Sequence, residues 1–134
     1  SVVKNVSVVE GMKTVFKSGS ESQILFMLQK LQEINDKRFI KEVELLVDHP
    51  SLKVKTAAIQ SLYFLNSNSM ISQIPELLKS EDEDLVEATL AYLLLHAQKN
   101  ETIVFDAYLD DKNSLIATTA LLCLARESRD NYSL

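Results

Sequence analysis

Apolar residues recur along this chain at the i, i+4, i+8 spacing that is typical of one face of an amphipathic α-helix. Two series show the spacing most clearly, and they consist of Val54, Ala58, Leu62 and Leu65, and of Val86, Leu90, Leu94 and Ala97. Met27, Leu31 and Ile34 match the first series earlier in the chain, and residues 116–124 match the second series later. Matching positions are separated by about 31 residues, a period in the range of helical-repeat proteins. The pattern predicts four copies of one helix.

The stretches between these helices carry a second repeated pattern. Its apolar positions return at a constant separation, as Val9, Met12, Val15 and Phe16, then Ile40, Val43, Leu46 and Val47, then Ile71, Ile74, Leu77 and Leu78. This separation, from Val9 to Ile40, is called the repeat interval below. A fourth copy is expected over residues 101–110, where Ile103, Phe105 and Leu109 slip by one residue and Asp106 falls near an apolar position. Together the two patterns predict an all-α chain of about eight helices in antiparallel pairs, whose shared core forms only when neighbouring pairs stack.

Polar residues occur where several of these helices are expected to begin. Ser20 and Gln23 have the spacing of a capping box, Ser51 precedes another predicted helix, and the run Glu-Asp-Glu-Asp at residues 81–84 precedes a third. Side-chain acceptors and negative charges are favoured at these places, because the first N–H groups of a helix have no partner within it. Pro75 falls in the first turn of its predicted helix, where its missing N–H costs little.

The repeats predict a single domain of five units. Their approximate bounds are 1–18, 19–48, 49–79, 80–110 and 111–134. The first and last units are half-repeats, because each matches only one helix of a pair. Solenoids ordinarily end in polar caps, and the sequence shows no obvious cap at either half-repeat. We therefore expect the chain to be a segment of a larger protein. The alternative is that the two terminal helices are themselves the caps.

The composition narrows the class of protein further. Two Gly and two Pro in 134 residues are too few for the many turns of an all-β sandwich or barrel. The 14 basic and 19 acidic side chains give a net charge of −5, which disfavours nucleic acid as a partner. A single cysteine is typical of a reducing compartment, so we expect a cytoplasmic location. The longest apolar stretches, at 88–97 and 115–125, are shorter than the roughly 18–20 residues that cross a bilayer, so we do not expect this segment to span a membrane.

The sequence Ile-Ser-Gln-Ile-Pro-Glu-Leu-Leu at 71–78 and the sequence Val-Lys-Thr-Ala-Ala at 54–58 resemble the second and first helices of the HEAT repeat family. The resemblance covers nearly the whole chain and implies a right-handed α-α superhelix of stacked antiparallel helix pairs. The basic residue that commonly follows the Val in this family is Lys55 here, but Glu87 and Ala117 replace it in later copies. The family is a scaffold used by unrelated proteins, so the resemblance implies a non-catalytic module that binds a protein or another domain of its own parent chain.

The second helices of HEAT solenoids usually line the concave face, and the resemblance therefore implies a candidate partner-binding surface. Its residues are Lys37, Arg38, Lys41 and Glu44, together with Ser72, Gln73 and Glu76. The basic edge among the first four and the acidic ridge formed by Glu76 and residues 81–84 would divide the surface by charge, which steers an oppositely patterned protein. The alternative is that these are ordinary solvated residues of surface helices.

Two other functions stay open as alternatives, and the first rests on a narrower resemblance. Residues 19–28, with the sequence Gly-Ser-Glu-Ser-Gln-Ile-Leu-Phe-Met-Leu, are similar to the soluble module of bacterial transporters of the ATP/ADP translocase type. This similarity implies an accessory domain for regulation or assembly, tethered to the inner membrane through its parent protein. The second alternative is a HEAT-like bilin lyase, which needs a reactive Cys123.

No cluster of residues in the sequence predicts a reaction, a cofactor or a metal, so we do not expect an enzyme. Cys123 is expected to be a buried structural thiol, because the repeat places it at the position held by Ser61 and Leu93. His49 and His96 are expected to cap or pack helices. Neither is followed by Glu, and a His-Glu pair is what HEAT-like hydroxylases use to hold iron.

Overall fold

Helices joined by short links make up the described part of the chain. The structure is a computed structural model that describes residues 5–132, and within them it contains seven α-helices and no strand. The α-helices are α1 (Val6–Ser18), α2 (Glu21–Ile34), α3 (Ile40–Leu46), α4 (Leu52–Phe64), α5 (Ile74–Leu77), α6 (Glu83–Ala97) and α7 (Ser114–Tyr132). Three 3₁₀-helices accompany them, η1 (Lys37–Phe39), η2 (Ile71–Gln73) and η3 (Asp106–Asp110). The all-α prediction is confirmed.

The long helices α2, α4, α6 and α7 begin in the same way. A side-chain oxygen accepts a hydrogen bond of 2.9–3.2 Å from a backbone N–H in the first turn, and the residues that supply it are Ser20, Ser51, Asp82 and Asn113. Each of these residues also accepts, through its backbone carbonyl, the first i→i+4 bond of its helix. Successive members are separated by the repeat interval. The capping box predicted for Ser20 and Gln23 is present, and the prediction for Ser51 is confirmed.

The chain divides into two compact units, the first ending at Met70 and the second beginning at Ile71. In the first unit, α4 packs against α2 and α3, and α1 packs against α2 and α3. The core between them is apolar and nearly inaccessible to solvent, and its largest side chains include Phe16, Leu28, Leu31, Phe39, Ile59 and Leu62. The rings of Phe16 and Phe39 meet edge to face, with centroids 5.9 Å apart.

In the second unit, α6 is the central helix, and it packs against α5 and α7. The 3₁₀-helix η3 packs against α7. Buried side chains of this unit include Leu85, Leu90, Tyr92, Phe105 and Ala120. Pro75 occupies the first turn of α5, as predicted, so its missing N–H removes no helical hydrogen bond.

The helix expected over residues 101–110 is not an α-helix. Only η3 forms there, and Asn100 begins the link before it with a side-chain oxygen that accepts from the backbone N–H of Thr102 at 3.0 Å. This local bond stabilises a turn in competition with a helix. Phe105 and Leu109 have the i, i+4 spacing of one helix face, but Ile103 lies two residues before Phe105 and falls outside that face.

The apolar stripe predicted for α6 is displaced by one residue near the C-terminal end of the helix. All four members of the α4 stripe are buried, and so are Val86 and Leu90, but Leu94 is only half-buried. Leu93 is buried instead, with an exposed fraction of 3%. The N-cap residues Ser51 and Asp82 explain this difference, because they are separated by the repeat interval. The same interval counted from the buried Leu62 leads to Leu93 and not to Leu94.

Candidate functional site

The four predicted site residues of the first unit lie on η1 and α3. Lys37, Arg38 and Lys41 are exposed to solvent, and Glu44 is half-buried. Asp36 begins this segment as its N-cap, because its carboxylate accepts from the backbone N–H of Arg38 at 3.0 Å. The sequence folds here as a short helical turn that presents its basic residues outward.

Arg38 is held by Asp36. Its Nε donates to Oδ1 and Oδ2 of Asp36 at 3.0 and 3.1 Å. These hydrogen bonds lower the pKa of the Asp36 carboxyl and raise the pKa of the Arg38 guanidinium. Lys37 and Lys41 form no ion pair within the part of the chain that is described. Within the basic edge, Lys37 and Lys41 therefore carry the uncommitted positive charges, meaning charges that no acidic side chain of the described residues pairs with.

The three predicted site residues of the second unit lie on η2 and α5. Ser72, Gln73 and Glu76 are all exposed. Glu76 pairs with Lys79 at 2.9 Å, and both side chains are largely in solvent, where such a pair contributes little stability. Since these residues belong to one unit and Lys37 to Glu44 belong to the other, their union in one surface stays a prediction.

A site that the sequence analysis did not identify lies within the first unit. It is a cavity of about 270 Å³ lined at one side by Phe16, Ile24 and Leu46, and its polar residue of greatest interest is Glu42 of α3. The Glu42 side chain is 10% exposed, and its Oε1 lies 3.8 Å from the Lys13 ammonium nitrogen. That distance is too long for a hydrogen bond. Glu42 Oε1 has no hydrogen-bond partner among the described residues.

The rim of this cavity adds both charge and apolar surface. Leu45, Asp48, His49 and Lys17 complete the lining with Gly19, and Leu45 is 68% exposed although it is a large apolar side chain. His49 accepts a hydrogen bond from the backbone N–H of Ser51 through Nδ1 at 3.0 Å, in the link before α4, and the N-cap of that helix is Ser51 itself. A sequence signal for Glu42 does exist, because Phe39, Glu42 and Leu46 have the i, i+3, i+7 spacing of one helix face, and two apolar neighbours on that face indicate a buried carboxylate.

A second cavity, of about 350 Å³, lies within the second unit between the end of α6 and η3. Leu94, Phe105 and Ile103 form its apolar part, while its carboxylates, Glu101 and Asp106, are exposed. Among the described residues, no polar side chain that lines this cavity is buried without a partner. The arrangement resembles an ordinary groove beside a loop more than a binding site.

Cys123 lies in α7 with an exposed fraction of 7%. Burial raises the pKa of its thiol to about 11, with a further increase from the nearby Glu87 carboxylate that Arg126 partly offsets. The thiol is therefore protonated at neutral pH and is a poor nucleophile. Glu87 and Arg126 are themselves joined by an ion pair between α6 and α7.

His96 is also buried, and its ring packs against the ring of Tyr92 with centroids 4.7 Å apart. Asp82, within the acidic run at 81–84, serves as the N-cap of α6. Among the side chains that the structure describes, no three His, Cys, Asp or Glu residues come together in an arrangement that could hold a metal ion.

Comparison with protein-family models, with curated proteins and with solved structures found no significant match to this chain. None of the helices in the described range is both long enough and apolar enough to cross a lipid bilayer.

Proposed function

We propose that this chain is a non-catalytic helical-repeat module of the HEAT type that binds a protein or another domain of its parent chain. One observation carries the proposal. The capping residues Ser20, Ser51, Asp82 and Asn113 begin four long helices at one constant repeat interval. A fixed period of this length with two helical segments in each interval is typical of solenoids whose repeats present an extended binding surface.

A second feature of the backbone has the same interval. Asn35 and Asn66 follow α2 and α4 with positive φ angles of 48° and 58°, and the repeat interval separates them. The left-handed conformation is uncommon for residues other than glycine. Its return one repeat interval later, near the ends of two successive long helices, supports a repeated structural unit.

The right-handed α-α superhelix expected from the HEAT resemblance is part of this proposal. Small-angle X-ray scattering of the protein tests it, because a stacked solenoid scatters as one curved rigid particle. A distance distribution with two separated maxima, as two flexibly joined units produce, would contradict the superhelix.

The proposed partner-binding surface includes the uncommitted charges of Lys37 and Lys41. We expect Lys37→Glu combined with Lys41→Glu to weaken partner binding while helicity, measured by circular dichroism, stays unchanged. Lys53→Glu combined with Lys112→Glu is the matched control, because both lysines are exposed and lie on other helices or links. Quantitative cross-linking in the source cells then compares the partners that each variant retains. Equal retention by both double variants would exclude this surface.

Neither alternative function gains an observation from the described residues. A bilin lyase needs a reactive thiol, and the raised pKa of Cys123 counts against one. The transporter accessory domain predicts a parent protein in the membrane fraction, which an immunoblot against this segment measures directly.

A further inference from the structure

We propose that the exposed face of α7 pairs with the same face of a second copy of this chain, so that the two α7 helices lie antiparallel about a two-fold axis. The axis passes between Leu121 and Leu122, whose side chains are 61% and 49% exposed. The contact uses only the second unit. It shares no residue with the surface proposed around Lys37 and Lys41, so it does not depend on the proposed function.

The exposed face of α7 is apolar at its centre. The helix packs against α6 and η3 within its own unit. Thr118, Leu121, Leu122 and Ala125 are all exposed, and they have the i, i+3, i+4, i+7 spacing of one helix face. Neighbouring exposed leucines on one face are typical of a surface that contacts another protein chain.

Comparison with the earlier repeats indicates what covers this face. The position of Leu121 is buried in each earlier copy, but the position of Leu122 is held by the exposed Gln29 in α2 and Gln60 in α4, and by the half-buried Ala91 in α6. Gln29 stays exposed although α2 packs against α4. A following helix of the repeat therefore accounts for an apolar residue at the first position but not for a leucine at the second. A contact centred between the two leucines covers both.

The order of side chains along the face is symmetric about the two leucines. Thr118 lies three residues before Leu121, and Ala125 lies three residues after Leu122. In an antiparallel pair, Thr118 of each copy meets Ala125 of the other, and Leu121 of each copy meets Leu122 of the other. The short side chains at 118 and 125 let the two helices approach closely. An isologous two-fold contact requires this kind of self-complementary surface.

Charges at the two ends of α7 favour the antiparallel orientation. Asp110 and Asp111 precede the helix, Lys112 offsets one of these two charges, and Arg129 lies near the C-terminal end, four residues after Ala125. Antiparallel pairing brings Arg129 of each copy toward the aspartates of the other. It also aligns the two helix dipoles favourably. Parallel pairing would instead place like charges at the same end.

The length of α7 sets the strength of this contact. The helix has 19 residues, so it is about 28 Å long, and two such helices side by side bury on the order of 1,000 Å² in total. That area is below the standard size for stable complexes, so we expect a weak dimer with a Kd of about 0.1–1 mM. At the concentration of a few micromolar that is usual in unfolding experiments, the chain is therefore expected to be a monomer.

Sedimentation equilibrium of the protein from about 5 µM to about 1 mM tests the dimer. We expect the average mass to rise from that of one chain toward that of two, and Leu121→Glu combined with Leu122→Glu to abolish the rise. Leu45→Glu combined with Leu52→Glu is the matched control, because these leucines are also exposed but lie in α3 and α4. A native protein that stays monomeric overturns the proposal and leaves the face to a helix of another protein. Equal dimerisation of the two double variants overturns it as well.

Two cysteine variants in a Cys123→Ser background test the two-fold geometry without adding charge. Leu122 lies next to the axis, so Leu122→Cys at about 1 mM should form a disulfide between copies when diamide is added. Ser114 lies farther along the helix, and two Ser114→Cys residues would be about 22 Å apart, which is beyond the reach of a disulfide. Equal cross-linking of the two variants overturns the proposal, and so does an absence of cross-linking at Leu122→Cys. Either failure leaves the Lys37 and Lys41 test untouched, so it is distinguishable from a failure of the proposed function.

Discussion

The two units end their long helices in different ways. In the first unit, α2 stops at Asn35, which adopts a φ of 48°, and η1 begins two residues later at Lys37. In the second unit, α6 stops at Ala97, Gln98 keeps a right-handed φ of −67°, and the link continues to residue 105 before η3 begins. A left-handed residue turns the chain sharply, so the next helical segment can begin at once.

The residue types account for this difference. Asparagine tolerates the left-handed conformation because its short polar side chain bonds locally, whereas alanine has a Cβ that clashes there. One repeat interval after Asn66 the chain has Ala97, and α6 runs through it. The comparison teaches that a left-handed asparagine at the end of α2 lets the chain turn within two residues, whereas the chain after α6 runs through residues 98–105 before η3 begins.

The largest expected effect on the free energy of unfolding comes from a position that recurs at the repeat interval but is buried in some copies and exposed in another. Leu28, Ile59, Leu90 and Leu121 follow one another at the repeat interval, yet the first three are buried and Leu121 is 61% exposed. Leu90→Ala should lower the free energy of unfolding by about 2–5 kcal/mol, because it leaves a cavity in the core. Leu121→Ala should change it by less than about 0.5 kcal/mol. Urea denaturation measures both, and equal losses would contradict the burial found for α7.

Much of this architecture was predictable from local signals. Capping and amphipathic spacing depend on residues only three or four positions apart, so Ser20, Ser51 and Pro75 were placed correctly. The stripe of α6 was misplaced at Leu94, because an almost wholly apolar helix offers several alternative stripes. The Glu42 cavity was missed for another reason. A cavity depends on how three helices pack, and periodicity within one helix does not describe the space between them.

The next effect compares Cys123 of the second unit with Ser61, which lies two repeat intervals earlier in the first. A pKa raised from 9.0 to about 11 makes the native thiolate scarcer by about a hundredfold near neutral pH. Iodoacetamide should therefore label Cys123 at least that much more slowly in the native protein than in urea. A cysteine introduced by Ser61→Cys, in a Cys123→Ser background, should react more slowly still, because Ser61 is 1% exposed. Rapid native labelling of Cys123 would revive the lyase alternative.

The same thiol gives stability a defined dependence on pH. Because the folded pKa of Cys123 lies above the unfolded one, the folded state binds more protons between the two values. Its contribution to stability is complete below pH 9 and is lost as the pH rises toward about 11. Thermal unfolding across this window should show a smaller alkaline loss for Cys123→Ala than for the native protein. Identical losses would mean that another group titrates there.

A smaller effect tests the difference between the helix ends directly. Asn35→Ala should lower the free energy of unfolding by about 1–2 kcal/mol, because alanine resists the left-handed conformation. Asn35→Gly should be neutral or slightly stabilising. Ala97→Gly should instead cost up to about 0.5 kcal/mol, since Ala97 is the last residue of α6 and has no positive φ for glycine to relieve. If glycine changed the free energy of unfolding in the same direction at Asn35 and at Ala97, the difference between the two helix ends would be contradicted.

The smallest effect compares two buried hydroxyl groups, one in each unit. The hydroxyl of Thr89 in α6 donates to the backbone carbonyl of Leu85 at 2.7 Å, whereas the hydroxyl of Ser61 in α4 has no hydrogen-bond partner among the described residues. Removing an unsatisfied buried polar group relieves a cost, while removing a satisfied one loses a bond. Ser61→Ala should thus raise the free energy of unfolding by up to about 1 kcal/mol, and Thr89→Val should lower it by about 0.5–1 kcal/mol. Chemical denaturation of both variants measures the two signs, and destabilisation by Ser61→Ala would mean that its hydroxyl finds an acceptor in solution.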